Sequence, residues 1–131
     1  MKGPHALHVK HAGAPGTKVY LWCAPTDMRK GFDGLSALAL SVVKRDPFSG
    51  HLFLFRSRKG DYLKVLHWDG SGICLFAKRL EQGKFVWPPQ AGESLHLTAA
   101  QLALLIEGMD WRRTHAPRVT HADDTPVPVM L

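Results

Sequence analysis

The chain has 131 residues, with 17 Lys and Arg against 11 Asp and Glu, and so a net charge of +6. That length suits one domain able to bury roughly two-thirds of its unfolded surface without disulfides or metal. The charge points to a polyanionic partner, nucleic acid ahead of an anionic membrane surface, or to a basic protein that is merely soluble. No apolar run approaches the roughly 20 residues needed to span a bilayer, and no signal-peptide pattern opens the chain, so a cytoplasmic location without membrane partners is expected. Cys23 and Cys74 lie far apart with no CxxC spacing. They read as buried, reduced thiols.

Residues 1–16, MKGPHALHVKHAGAPG, lack useful periodicity and are expected to form a flexible arm ahead of a domain at 17–111. His5, His8 and His11 recur every third residue, but Pro4 and the nearby glycines oppose a helix that would align them. With no Cys or carboxylate to complete a ligand set, no metal or cofactor is expected. Val19 to Cys23 reads as a short strand ended by Ala24-Pro25.

Thr26 or Asp27 can then cap a helix running to about Arg45, with Met28, Phe32, Leu35, Ala39, Val42 and Val43 on one apolar face. Lys44 and Arg45 suit its last turn, and Asp46-Pro47 stops it. Its start breaks two rules. Arg29 and Lys30 place positive charge where free N–H groups are already positive, costing about 0.3–1 kcal/mol. Gly31 and Gly34 inside a helix cost about 1 kcal/mol each relative to Ala. The segment reads either as a phosphate-binding helix start or as a place where glycine lets the helix pack close to a sheet.

His51 to Pro88 holds most of the aromatic residues and is divided by Arg58-Lys59-Gly60-Asp61, Asp69-Gly70-Ser71-Gly72 and Glu81-Gln82-Gly83-Lys84. Four short apolar segments between such turns predict an antiparallel four-stranded β-meander. Two-residue turns would place Leu63 between Arg56 and Lys78 on one face. On the other, Tyr62 would lie between Ser57 and Arg79, and Lys64 between Phe55 and Ala77. Phe53 would meet Leu66 and Leu75, and Leu54 would meet Val65 and Phe76. One end of the sheet is therefore predicted to be apolar and the other basic.

Pro88 to Gly92 reads as a connector, and Thr98-Ala99-Ala100-Gln101 as a capping box. Leu102, Leu105, Ile106 and Met109 continue as the buried stripe of a second helix ending near Gly108 to Asp110. Residues 112–131 are expected as a flexible tail, in which Arg112, Arg113 and Arg118 could add salt-sensitive contacts to nucleic acid. The predicted fold is α+β: the four-stranded meander, one short N-terminal strand and two helices.

Three blocks of residues resemble the second small accessory protein, of the TnpB type, found in bacterial insertion sequences of the sixty-six family. They are Thr26 to Leu35 (TDMRKGFDGL), Asp46 to Phe53 (DPFSGHLF) and Gly72 to Pro88 with its LFAKRLE and FVWP. The resemblance covers roughly Val19 to Trp111, and the termini depart from it. It implies a supporting role in transposition beside another accessory protein and a large transposase, the latter holding the acidic catalytic triad.

The residues themselves favour a non-catalytic module that binds DNA through Arg29, Lys30, Arg56, Arg58, Lys59, Lys64, Lys78 and Arg79, with Tyr62 able to stack on an unpaired base. The alternative is an adaptor that contacts the transposase or the other accessory protein without binding DNA, anchored by Trp68, Trp87 and Trp111 unless these are core. Catalysis is not expected. Asp61, Asp69 and Glu81 stand at predicted turns where polar residues serve local geometry, leaving Asp27 and Asp33 as the other carboxylates weighed, and His67 is read as packing against Cys74.

Overall fold

In the computed structural model, which describes residues 17–89, 94–113 and 118–119, alternating side chains send one sheet's two faces to two separate cores. The arm expected at 1–16 lies outside the described residues, as does most of the expected tail. The strands are β1 (Val19–Pro25), β2 (Leu52–Arg56), β3 (Tyr62–Trp68), β4 (Ile73–Arg79), β5 (Ser94–Leu97) and the two-residue β6 (Arg118–Val119). Their order is β4-β3-β2-β1-β5-β6. The helices are α1 (Phe32–Leu38), continued by a π-turn over Ala39–Val43, and α2 (Ala99–Ile106).

Leu21, Leu54, Leu63 and Leu95 meet Leu102 and Leu105 of α2 on one face, with Trp111 fully buried among them. On the other, Tyr20, Phe53, Phe55 and Leu66 pack with Leu35, Ala39 and Val43 of the α1 stretch.

The general α+β architecture matches expectation, and so does the register of the first two hairpins. Leu63 lies opposite Arg56 and Lys78, and Tyr62 opposite Arg79. The sheet, however, is mixed rather than purely antiparallel, because β1 runs parallel to β2 and antiparallel to β5. The meander also has three strands, not four. Residues 80–88 leave the ladder: after Leu80 N–H donates to the Asp61 carbonyl, Phe85, Val86 and Trp87 sink into the α2-side core. Pro88 and Pro89 have no N–H to donate to a ladder.

The first helix starts later than predicted. Thr26 to Lys30 form a turn in which the Asp27 carboxylate accepts the Arg29 N–H at 2.9 Å and its carbonyl accepts Lys30 N–H at 3.1 Å. Gly31 occupies the N-cap position, so Arg29 and Lys30 precede the helix and the conflict with its dipole disappears. Gly34 serves packing. A Cβ there would meet the Lys30 Cβ at 3.1 Å. The stretch ends before Asp46, at Lys44 with φ 65°, and Phe32, expected on the buried face, is 52% exposed.

Helix α2 carries the predicted capping box, Gln101 N–H donating to Thr98 Oγ1 while Thr98 N–H donates to Gln101 Oε1. It stops at Ile106, and Met109 lies exposed. Cys23 is buried but Cys74 is exposed, because β4 is an edge strand. Partial burial, then a 3.4 Å hydrogen bond to the Asp69 carboxylate, push the Cys74 thiol pKa up.

Candidate nucleic-acid interface

The hairpin loop between β2 and β3 carries Arg58 and Lys59, and its shape is set from within and from below. Ser57 Oγ accepts the N–H groups of Gly60 at 3.1 Å and Tyr62 at 3.2 Å, a local use of serine that substitutes for turn backbone bonds. Gly60 is buried at φ +83°, and its carbonyl accepts both Phe85 N–H and Trp87 Nε1–H at 2.9 Å. An added Cβ would meet Trp87 Nε1 at 3.1 Å, so only glycine fits this anchor.

The eight basic residues singled out in the sequence divide into two sets. Arg56 stacks over the Trp87 ring at 5.2 Å and donates to the Ser57 carbonyl at 3.1 Å, and its burial lowers its pKa. Lys78 Nζ donates to the Ile106 carbonyl at 2.9 Å, satisfying an end carbonyl of α2 that has no helical partner. Lys64 Nζ donates to the Lys30 carbonyl at 2.9 Å, tying β3 to the turn before α1. Arg29 pairs with Asp27 at 2.9 Å, a hydrogen bond that brings the Asp27 pKa down to about 2.

The second set faces solvent. Arg58, Lys59 and Arg79 line an open depression of about 350 Å³ together with Thr26, Met28, Ser57, Asp61 and Tyr62. Arg79 stands 5.8 Å from the centre of the Tyr62 ring, and Lys64 approaches the same ring at 5.9 Å. Lys30 is exposed beside the turn whose carbonyl holds Lys64. Three cations and one carboxylate, Asp61, surround a half-buried tyrosine. This arrangement can hold a phosphate group and offer an aromatic edge to a base.

Thr26 and Met28 of this lining belong to the segment read from the sequence as a possible phosphate-binding helix start, whereas Ser57 was not singled out. Ser57 stands at a turn entry, where its hydroxyl commonly bonds nearby backbone, and that was the available signal. Thr26 and Met28 arrive only through the β1–β2 pairing, where Thr26 N–H donates to the Arg56 carbonyl at 2.8 Å.

Among the described residues no group of three or more His, Cys, Asp or Glu could hold a metal ion, and no helix is long and apolar enough to cross a membrane. Fold and site together define a small α+β protein in which a mixed sheet between two helices carries a basic, tyrosine-centred surface at one end. The chain belongs to the family described as IS66 Orf2 like protein, whose profile matches residues 17–116. It is thus an accessory protein associated with this class of insertion sequence.

Two curated relatives come from Sinorhizobium fredii (strain NBRC 101917 / NGR234). The uncharacterized protein y4hO is 48% identical over 99 residues, covering 74% of this chain and 86% of its own. The uncharacterized protein y4jC is 41% identical over 98 residues, covering 75% and 84%. No solved structure gives a significant match.

Proposed function

We propose that the chain supports transposition by binding DNA phosphates through Arg58, Lys59 and Arg79 around Tyr62, with Lys30 at the margin. The observation that carries this reading is the division of labour among the cations. Arg56, Lys64, Lys78 and Arg29 are engaged within the protein, whereas the Arg58 and Lys59 side chains are exposed and bonded to no described residue. The loop that presents them is anchored by Gly60 and Trp87, which reduces the ordering cost of contact. Binding of this kind is salt-sensitive and indifferent to sequence.

The test is binding of the purified protein to fluorescent duplexes, one carrying the element's terminal inverted repeat and one scrambled, across a salt series. Four phosphate contacts give a log-log slope of about −4. Joint Arg58→Glu and Lys59→Glu substitution is expected to weaken binding to both duplexes and to flatten the slope by roughly 2. Equal affinity and slope for the variant, or no binding of the parent at low salt, would refute the assignment.

The adaptor reading has lost two of its anchors, since Trp111 is fully buried with its Nε1–H donated to the Val86 carbonyl at 2.7 Å and Trp87 holds Gly60. What favours it is the exposure of Phe32 at 52% and Leu40 at 61% on the α1 side. Co-purification with the transposase or the other accessory protein in nuclease-treated extract, lost on Phe32→Ser with Leu40→Ser, is the result it requires.

A further inference from the structure

Strand β4 ends the sheet, and among the described residues its outer side pairs with nothing. The phase of its ladder follows from two flanking bonds. Leu80 N–H donates to the Asp61 carbonyl at 2.8 Å and Asp69 N–H to the Gly72 carbonyl at 3.0 Å. In an antiparallel pair bonded and non-bonded positions alternate, so the even-numbered residues of β4 bond to β3. The N–H and C=O groups of Ile73, Leu75, Ala77 and Arg79 therefore point outward.

Exposed edges are usually blunted by proline, a bulge or an inward charge. β4 has neither of the first two, pairing with β3 without a break in register over all seven residues. Its own charges are confined to one end, Lys78 and Arg79. At the other end the Asp69 carboxylate lies against Cys74 Sγ at 3.4 Å. The edge is thus acidic at its start, apolar through Leu75, Phe76 and Ala77, and basic at its finish. An antiparallel copy of the same edge opposes acid to base at both ends and apolar to apolar between.

We propose that β4 pairs with β4 of a second copy of this chain, antiparallel, about a two-fold axis at Phe76. Outward groups on odd residues require odd-to-odd bonded pairs, here Leu75 with the second copy's Ala77 and Ile73 with its Arg79. The non-bonded pairs are then Phe76 with Phe76 and Cys74 with Lys78, which brings Asp69 toward the second copy's basic end. The axis runs perpendicular to the sheet, so like faces stay together. Both Tyr62–Arg79 depressions lie on one side of a continuous sheet, their Arg79 residues on the order of 20 Å apart along the strands. This pairing stands whether or not the depressions bind DNA.

Sedimentation equilibrium of the full chain, with dilution from roughly 100 μM, tests it. A dimer is expected for the parent. Ala77→Pro is expected to give a monomer, since it removes an outward N–H while no ladder bond to β3 is lost. Circular dichroism reports whether that variant is folded. Independently, Phe76→Cys in a Cys74→Ala background is expected to form a disulfide-linked dimer under mild oxidation, because a non-bonded antiparallel pair brings Cα atoms to about 4.5 Å. A monomeric parent overturns the proposal, as does a dimer that persists in folded Ala77→Pro. Should Ala77→Pro not fold, the cross-link decides: the linked dimer supports the pairing and its absence overturns it.

Discussion

The two hairpin turns of the meander do different work. The turn at 69–72 is closed on itself, Asp69 Oδ1 accepting the N–H groups of Ser71 and Gly72 at 3.0 Å, and a Cβ at Gly70 would meet nothing within 4 Å. The turn at 57–62 also closes on its own Ser57, but it is held in addition by the rest of the molecule, through Trp87 and Phe85 on the Gly60 carbonyl. A turn that satisfies its own backbone can stay at the surface and vary. A turn that borrows its bonds from a segment 25 or more residues away is fixed in place, and this one bears the unengaged cations.

Four substitutions or titrations probe that contrast. Trp87→Ala should cost about 3 kcal/mol in a urea melt, because a half-buried indole and its bond to Gly60 go together. Gly60→Ala should cost about 2 kcal/mol, from a left-handed φ and a blocked Cβ position. Gly70→Ala, with φ +106° but open space, should cost only about 1 kcal/mol; if it costs as much as Gly60→Ala, the two turns are alike after all.

The smallest effect is a titration. Hydrogen bonds from Ser71 and Gly72, first among several, bring the Asp69 pKa from the usual 3.8 to about 2. A depressed carboxylate contributes stability present above pH 3.8 and lost as the pH falls toward 2. The Ser71 and Gly72 amide resonances should therefore titrate with a midpoint near 2; a midpoint at 3.8 would show that the turn is not closed in solution.

Much of this was legible in the residues. The centres of the first two turns gave the register of β2, β3 and β4, and Thr98 with Gln101 gave the start of α2. The basic end of the sheet could be read from Arg56, Lys78 and Arg79. Which of its cations were available could not, because occupancy is a long-range property. Lys64 is engaged by a carbonyl 34 residues away and Lys78 by one 28 residues away. A sequence shows charge but not what the fold sets opposite it.

Strand β5 was missed for a related reason. Ser94 to Leu97 alternate over only four residues just before a helix cap, and the strand exists because β1 offers it an edge. The helix start at Phe32 was misjudged because Asp27 serves a local turn rather than a cap, a competition that short acidic side chains often enter.

Placing β1 at the centre of the sheet has a consequence for biosynthesis. Val19 pairs with Leu52 on one side and with Leu97 on the other, so the first described strand to leave the ribosome is enclosed by one of the last. At about 5–20 residues per second, the edge that β5 will cover stays open for on the order of ten seconds, with Leu21 and Cys23 not yet shielded by α2. A message cut short before residue 94 would yield a chain with that edge permanently open, suited to proteolysis or aggregation.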